Sequence, residues 1–260
     1  MCKSHPEDFT LPSHSKKTRR PHGAQADIEI LFEDQDLIVV VKPAGLLTIA
    51  TDREKRRTAY AMLVDHVRRF RAARIFIVHR LDREASGLLV FAKNEQAKAA
   101  LQSQFQDHSA GRTYLAVTDG RVPQDTFTVK SYIAENAAYR CYSTRDAARG
   151  QLAVTHITVL QRTPLRTLVE ARLETGRKHQ IRVHLADEGF PIVGDPAYGS
   201  GKSPIRRMAL HGAKLVFRHP HTGEAMTFTS PAPTSFDALM RIATPVGRSG
   251  PPQAPRRNAN

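Results

Sequence analysis

Residues 77–94 of the chain read IVHRLDREASGLLVFAKN, a polar loop enclosed by two apolar runs. The runs at 75–78 and 88–92 are apolar enough to predict buried strands. The loop carries Asp82 between Arg80 and Arg83, and positive charge nearby keeps a carboxylate ionised. An ionised aspartate on a loop between rigid strands can act as a nucleophile or general base. The local pattern alone nevertheless favours a structural aspartate in a surface ion pair, because such pairs are common.

Outward from this loop, the pattern predicts strands in hairpins with a few helices between them. Residues 28–41 predict two short strands around a turn at 33–36. Helical spacing of apolar residues predicts helices at 57–72, 95–106 and 178–186. Further strands are predicted at 114–117, 126–133, 153–160, 167–173, 214–217 and 225–228. This order favours an α+β fold with a mainly antiparallel mixed sheet and flanking helices.

The charge of the chain indicates a polyanionic partner. Lysine and arginine number 39 against 25 acidic residues, a net charge of +14 over 260 residues. Residues 1–26 and 246–260 are basic and without periodicity, which predicts a disordered N-terminal arm and C-terminal tail around a folded domain at 27–245. These two segments hold less than half of the basic excess, so the folded domain is expected to present a positive surface as well.

Several classes of protein are excluded by what the sequence lacks. No apolar run approaches the roughly 20 residues of a membrane helix, and the N-terminus has no secretory apolar segment. Cys2 and Cys141 form no CxxC pair, which suits a reducing compartment, so a cytoplasmic location is expected. Neither a GxGxxG nor a P-loop motif occurs. His179 and His184 lie five residues apart, which favours hydrogen-bonding roles over a shared metal.

Two more segments carry candidate binding residues. Residues 173–184 read LETGRKHQIRVH, where Arg177, Lys178 and Arg182 can bind phosphates near a helix start. Residues 111–117 read GRTYLAV, where Tyr114 follows the basic Arg112 at the start of a strand. An aromatic side chain in that position can stack on a nucleobase.

These three segments together resemble the RluA family of pseudouridine synthases, and they occur in the family's order. The family pattern has an HRLD…SGLL loop, then a basic residue and Tyr opening a strand, then TGR-HQIRVH. Matches to KPAGL at 42–46, VGDP-YG at 192–199, and later motifs at 210–213 and 219–224 extend the resemblance over nearly all of 28–236. The resemblance implies the pseudouridine synthase fold with a central active-site cleft. It also implies an enzyme that isomerises uridines in structured ribosomal or transfer RNA.

The resemblance further implies a role for each matching residue. Asp82 aligns with the catalytic aspartate that acts at the ribose of the target uridine. Tyr114 aligns with the tyrosine that lies against the base and is implicated in removing the proton from carbon 5. Arg182 aligns with the arginine that pairs with the carboxylate, and Arg80 with the one that fills the space left by the flipped nucleotide. The expected substrate-binding residues are His79, Arg80, Leu81, Arg177, His179, Ile181 and Lys42.

The expected partner is an RNA stem-loop, with no metal, no cofactor and no membrane, and the protein is expected to be a monomer. Many relatives carry a small N-terminal RNA-binding domain, which 26 residues cannot supply. RNA docking is then expected to rest on the catalytic domain and on basic stretches such as residues 53–57.

Two other functions fit parts of the sequence. A non-catalytic RNA-binding or chaperone protein on the same fold would not require Asp82, Tyr114 and Arg182 together. A metal-free hydrolase using Asp82 with His79 lacks a Ser-His arrangement, and Glu84 is the only nearby candidate for a paired carboxylate.

Overall fold

The computed structural model describes residues 28–51, 54, 57–68 and 74–241. The predicted arm at 1–26, the tail at 246–260 and most of the basic stretch 53–57 lie outside the described residues. The strands are β1 (Glu29–Glu33), β2 (Leu37–Lys42), β3 (Phe76–Ile77), β4 (Ser86–Ala92), β5 (Gly111–Asp119), β6 (Thr126–Glu135), β7 (Cys141–Thr144), β8 (Gln151–Arg162), β9 (Arg166–Leu173), β10 (Leu210–Arg218) and β11 (Ala225–Thr229). The helices are α1 (Ala59–Val67), α2 (Glu95–Gln106), α3 (Gln180–Asp187) and α4 (Thr234–Arg241).

The strands form one mixed sheet in the order β1-β2-β4-β10-β5-β9-β8-β6-β7. β11 pairs with β10 outside this path, and β3 pairs with β4. Every neighbouring pair is antiparallel except β4 and β10, which run parallel. The predicted α+β fold with a mainly antiparallel sheet is therefore confirmed.

Strand β4 is the centre of the core, and all seven of its residues are buried. Leu89 and Phe91 belong to the cluster on one face of the sheet, together with buried residues of α1, α3 and α4. Leu88 and Val90 belong to the cluster on the other face, with residues of α2. A strand covered on both faces needs a continuous apolar run, which is why the sequence shows no alternation here.

The parallel contact between β4 and β10 requires glycine at position 87. Gly87 has a φ of +122°, and a Cβ atom on it would lie 2.3 Å from the backbone nitrogen and oxygen of Gly212. Such an approach is possible only without a side chain. The Ser86-Gly87 pair thus ends the loop that carries Asp82 at the place where β4 meets β10.

The structure differs from the predicted elements in five places. Of the strand predicted at 75–78, only Phe76–Ile77 is strand, and both residues are half-buried. The helix predicted from 178 begins at Gln180, because His179 has a left-handed φ of +57° that a helix cannot contain. Strand β7 and helix α4 were not predicted. The helix predicted at 57–72 is α1 up to Val67, and residues 69–73 lie outside the described part.

None of the helices in the described residues is long and apolar enough to cross a membrane.

Candidate active site

A cavity of about 140 Å³ lies where the loop after β3, strand β5 and the start of α3 meet. It gathers residues that are far apart in the sequence, including Asp82 and Arg182, which are a hundred positions apart. The residues predicted for the site that line it are Arg80, Leu81, Asp82, Tyr114, Arg177, His179, Ile181 and Arg182. Lys42 and His79, which were also predicted to contact substrate, do not line it.

Arg182 connects two carboxylates at the end of this cavity. Its Nη1 donates to Asp82 Oδ2 at 3.0 Å. On its other side, Nε and Nη2 donate to the two oxygens of Asp195 at 2.7 and 2.9 Å. The side chain of Asp195 is fully buried, whereas that of Asp82 is 19% exposed and faces the cavity. The bond from Arg182 fixes the direction of the Asp82 carboxylate, and the exposed part of that carboxylate faces the cavity.

The charge of Arg182 is secured by these partners. Burial by itself lowers the pKa of an arginine, but the hydrogen bonds and charges of Asp195 and Asp82 outweigh it and raise the pKa of Arg182. Burial raises the pKa of Asp195, yet the bonds from Arg182 and from the backbone N–H groups of Ala197 and Tyr198 lower it overall. The Tyr198 ring also lies 5.1 Å from the guanidinium of Arg182.

His179 stands at the start of α3 on the rim of the cavity. Its Nδ1 is hydrogen-bonded to the Tyr198 hydroxyl at 2.9 Å, and its Nε2 lies 3.9 Å from Asp82 Oδ1. Burial lowers the pKa of His179, Asp82 raises it, and Arg182 and Lys178 lower it further, with a net lowering. Near neutral pH this histidine is therefore a neutral hydrogen-bonding group. His184, on the same helix, is hydrogen-bonded to Thr155 and Ser131, as its spacing predicted.

The loop bearing Asp82 is held from beneath by the segment after β2. Thr48 Oγ1 accepts from the backbone nitrogen of Leu81 at 3.2 Å and donates to its carbonyl at 2.9 Å. The backbone nitrogen of Gly45 donates to the carbonyl of Arg83 at 2.7 Å. Both residues that flank Asp82 are thereby fixed.

Lys42 belongs to this support and not to the cavity. Its side chain is fully buried, and Nζ donates to the carbonyls of Ala85 at 2.6 Å and Leu46 at 2.7 Å. Burial lowers the pKa of Lys42 to about 7, while Asp82 and Glu84 oppose that shift. The sequence predicted substrate contact for Lys42. In the structure, its apolar neighbours and carbonyl partners turn the ammonium group inward, toward the loop.

His79 also points into the core. Val90 donates its backbone N–H to Nε2 of His79 at 3.1 Å, and the imidazole stacks on Phe105 with the ring centroids 4.5 Å apart. Burial, and then the charge of Arg112, lower the pKa of His79 to about 3. The neutral ring therefore joins the loop that carries Asp82 to β4 and α2 instead of lining the cavity.

The arginines next to Asp82 in the sequence are not its partners. Arg83 Nε donates to the carbonyl of Gly45, and its Nη2 lies 3.8 Å from Glu54. Arg80 is exposed at the cavity. Among the described residues, the basic side chains within 4 Å of the Asp82 carboxylate are those of Arg182 and His179. Of the two, Arg182 carries the charge near neutral pH, so the positive charge that accompanies Asp82 comes from α3.

Arg112 and Tyr114 point to the same face of β5, two residues apart, and both line the cavity. Burial, opposed by Arg112 and assisted by Asp82, raises the pKa of the Tyr114 phenol. Arg112 is 9% exposed, and its Nε and Nη2 find no hydrogen-bond partner among the described residues. Unpaired buried donors are rare in proteins, and a charged one is costly.

The chain matches the family model described as RNA pseudouridylate synthase over residues 36–187, which include Asp82, Tyr114 and Arg182. The chain belongs to this family. An uncharacterised RNA pseudouridine synthase of Bacillus subtilis (strain 168) is 40% identical over 221 residues, covering 82% of this chain and 72% of that protein. Ribosomal large subunit pseudouridine synthase D of Zymomonas mobilis is 38% identical over 254 residues, covering 90% of this chain and 77% of that protein.

Solved structures of pseudouridylate synthases share the fold. Human RNA pseudouridylate synthase domain containing 4 superposes with a TM-score of 0.66 at 25% identity, covering 80% of this chain and 90% of that chain. Human RNA pseudouridylate synthase domain containing 1 gives a TM-score of 0.67 at 27% identity, covering 84% and 90%. The resemblance to the RluA family of pseudouridine synthases is confirmed.

Two residues of this pseudouridine synthase site were missed from the sequence. Asp195 lies in the matched 192–199 motif, which was the one available signal, but the motif alone does not tell that its carboxylate holds Arg182. Arg112 was noted only as a basic neighbour of Tyr114. Its burial without a partner is a property of the fold and leaves no trace in the local pattern.

One group within the described part of the synthase has metal-like spacing, formed by Asp34, Asp36 and His219. Its atoms already have partners. Asp34 Oδ2 is hydrogen-bonded to His219 Nε2 at 2.8 Å, and Oδ1 accepts from the backbone nitrogens of Asp36 and Leu37. These bonds close the turn between β1 and β2 against the turn between β10 and β11.

Proposed function

We propose that this pseudouridine synthase isomerises a specific uridine in structured ribosomal RNA, with Asp82 as the catalytic carboxylate. The observation that carries the proposal is the bridge by Arg182, which fixes Asp82 at the end of a cavity lined by Tyr114 and cationic groups. The relatives named as ribosomal large subunit pseudouridine synthase D favour ribosomal over transfer RNA.

The reaction is an internal rearrangement that needs no oxidant or reductant. The bond between N1 of uracil and C1′ of the ribose breaks, the freed uracil turns, and a bond forms between C5 and C1′. The proton of C5 leaves and N1 ends protonated, so atoms and charge balance without oxidation. Asp82 acts at C1′, either by adding to it or by assisting its ionisation. We therefore propose that no metal and no cofactor take part.

The other cavity residues serve binding and extrusion of the nucleotide. A uridine inside a helix must leave the base stack before its sugar can be reached. The exposed Arg80 is suited to occupy the vacated space, and Arg177 to bind phosphate. With its raised pKa, Tyr114 is a neutral phenol near neutral pH and is suited to pack against the uracil. If Tyr114 removes the C5 proton, another group must first accept the proton of its phenol.

We further propose that residues 27–245 act as a monomeric catalytic domain in the cytoplasm, with both basic ends contacting RNA. The basic composition of the chain supports RNA contact outside the cavity. Size-exclusion chromatography with light scattering tests the monomer, and isomerisation in the presence of EDTA tests independence from metals.

The decisive experiment maps pseudouridine in total RNA from cells with and without the gene. We expect one or a few ribosomal sites to disappear and to return with the wild-type gene but not with Asp82→Asn. The Asp82→Asn protein should still bind the RNA. Full restoration by that variant would exclude Asp82 as the catalytic group, and an unchanged RNA map would reject the function.

A further inference from the structure

A second concavity of about 480 Å³ lies beside the catalytic cavity. Residues of β6, β7 and the loop between β7 and β8 line it on one side, and the loop before α3 lines it on the other. It shares Gly176, Arg177 and Lys178 with the catalytic cavity. We call it the flanking groove. An RNA strand that places one nucleotide at Asp82 would pass directly along it.

The flanking groove has an excess of positive charge. Arg149 and Arg177 line it as cations, while its acidic residue, Glu135, is paired with Lys178. Arg177 donates Nε to the carbonyl of Leu152 at 2.9 Å, which holds its guanidinium along the groove wall. Fixed guanidinium groups of this kind bind phosphate oxygens well.

An exposed aromatic residue stands at the edge of this groove. Tyr139 lies in the turn between β6 and β7 and is 79% exposed. The Nζ atom of Lys178 lies 6.0 Å from the centroid of its ring and donates to its carbonyl at 3.2 Å. The aromatic face is therefore adjacent to a residue that lines both the groove and the catalytic cavity.

The turn holds Tyr139 in one position. Asn136 Oδ1 accepts hydrogen bonds from the backbone nitrogens of Ala138 and Arg140 at 3.0 and 2.9 Å. The backbone carbonyl of Asn136 accepts from the backbone nitrogen of Tyr139 at 2.9 Å. Tyr139 has a left-handed φ of +59°, which costs a residue with a Cβ about 1 kcal/mol. Asn or Gly would form this turn more easily, so its folding does not explain a tyrosine here.

We propose that the flanking groove binds the unpaired nucleotide next to the target uridine, with its base stacked on Tyr139 and its phosphate at Arg149 and Arg177. Aromatic platforms beside cationic grooves are the usual means of holding unpaired bases, because every base has a face that can stack. The inference rests on the proposed function, since it assigns the neighbour of the uridine that reaches Asp82. It makes Tyr139 a determinant of RNA binding rather than a catalytic residue.

Fluorescence can test the stacking directly, because the chain contains no tryptophan. Tyr139→Trp introduces a single tryptophan as the fluorescent probe. It is made in the Asp82→Asn background, so that RNA is bound without turnover. The RNA is an unmodified transcript of the host's large-subunit ribosomal RNA. Stacking should quench the indole strongly. The matched control is Tyr142→Trp, on β7, where the residue points away from the groove side taken by Cys141. Equal quenching at both positions would overturn the inference.

Kinetics on the same transcript provide the second test. Tyr139→Asn removes the ring but suits the left-handed turn, so the protein should keep its melting temperature. We expect KM to rise about 5- to 150-fold, the range that the loss of one base–aromatic stack gives, with kcat unchanged. Tyr139→Phe should keep the wild-type KM, and so should the control Tyr142→Asn.

The outcomes separate the two proposals. If the wild type forms no pseudouridine while Tyr139→Trp is still quenched, the proposed function fails and the groove still binds RNA. An unchanged KM in Tyr139→Asn, with an active wild type, rejects the stacking role. A fall in kcat without a rise in KM would equally reject it, since it would place Tyr139 in the chemistry.

Discussion

Asp195 holds Arg182 by two hydrogen bonds of 2.7 and 2.9 Å, and neither side chain is more than 3% exposed. Arg182 and Asp195 are more buried than Asp82, to which Arg182 donates a hydrogen bond at 3.0 Å. The direction of the Asp82 carboxylate, the proposed catalytic group, therefore depends on a residue that does not line the cavity.

Asp195→Asn should reduce both stability and turnover. Removing one partner of a buried ion pair costs about 3–5 kcal/mol, because the remaining charge is left uncompensated. Misplacing a catalytic group by about 1 Å lowers the rate roughly 100-fold, so kcat should fall by that order while RNA affinity persists. Urea unfolding and a pseudouridine assay measure the two effects. Asp119→Asn, which affects a 4.0 Å contact with Arg166 on a partly exposed side chain, should lose less than about 1 kcal/mol. Wild-type kcat in Asp195→Asn would refute the positioning role.

Lys42→Met distinguishes the structural role of this residue from the substrate contact predicted by the sequence. The carbonyls of Leu46 and Ala85 would lose their donor, at about 1–3 kcal/mol for each unpaired group. The loop bearing Asp82 should then loosen, so kcat should fall at unchanged KM for RNA. Lys93→Met is the matched control, because Lys93 is also well buried but bonds to Glu33 and Asp34 on β1 and the turn after it. It should lower stability without lowering kcat. A raised KM with a normal kcat in Lys42→Met would instead support substrate contact.

Arg112→Met and Arg182→Met should have opposite effects on stability, although both arginines line one cavity. Arg112 has two buried donors without a partner, so replacing it removes an uncompensated cost and should leave the free energy of unfolding within about 1 kcal/mol of wild type or raise it. Arg182→Met leaves Asp195 buried without its cation and should cost about 3 kcal/mol or more. Both variants should lose activity. The unpaired donors of Arg112 can bind an RNA oxygen, and Arg182 fixes the direction of Asp82. A strongly destabilised Arg112→Met would show instead that the fold needs this guanidinium.

Acid should destabilise the protein between about pH 6.5 and 4, a window set by the buried His184 and His211 and the half-buried His79. Burial lowers the pKa of His79 to about 3, and those of His184 and His211 to about 4, from an ordinary value of 6.5. Below pH 6.5 the unfolded chain takes up protons that the folded chain refuses, so protonation favours unfolding. The stability is thus fully present above pH 6.5 and is lost as the pH falls toward 4.

Urea midpoints measured from pH 7.5 to 4.5 check this dependence. His184→Gln removes one of the three groups and should give a shallower acid slope, whereas His221→Gln, at an exposed residue, should not change it. Equal slopes in all three proteins would contradict the assignment to buried histidines.

The sequence was sufficient to predict which residues meet, but not which way every side chain points. Asp82, Tyr114 and Arg182 could be grouped because their motifs occur in the order of a known family, and the cavity contains all three. Lys42 and His79 stand in the same motifs yet point inward, since tertiary packing decides whether a loop side chain meets a cavity or a core. Arg80 and Arg83 appeared to be the partners of Asp82 by proximity along the chain. The real partner comes from a helix a hundred residues later, where no local pattern records the contact.

The parallel junction between β4 and β10 has a consequence for the timing of activity during synthesis. Ser86 and His211, which are bonded at this junction, lie 125 residues apart, so the sheet stays open until most of the chain exists. Contacts of such separation form late, because the intervening chain must first be ordered. Arg182 and Asp195 are also made long after Asp82. A chain that has not yet been translated as far as Asp195 therefore has its aspartate but not the two side chains that fix its direction in the finished protein.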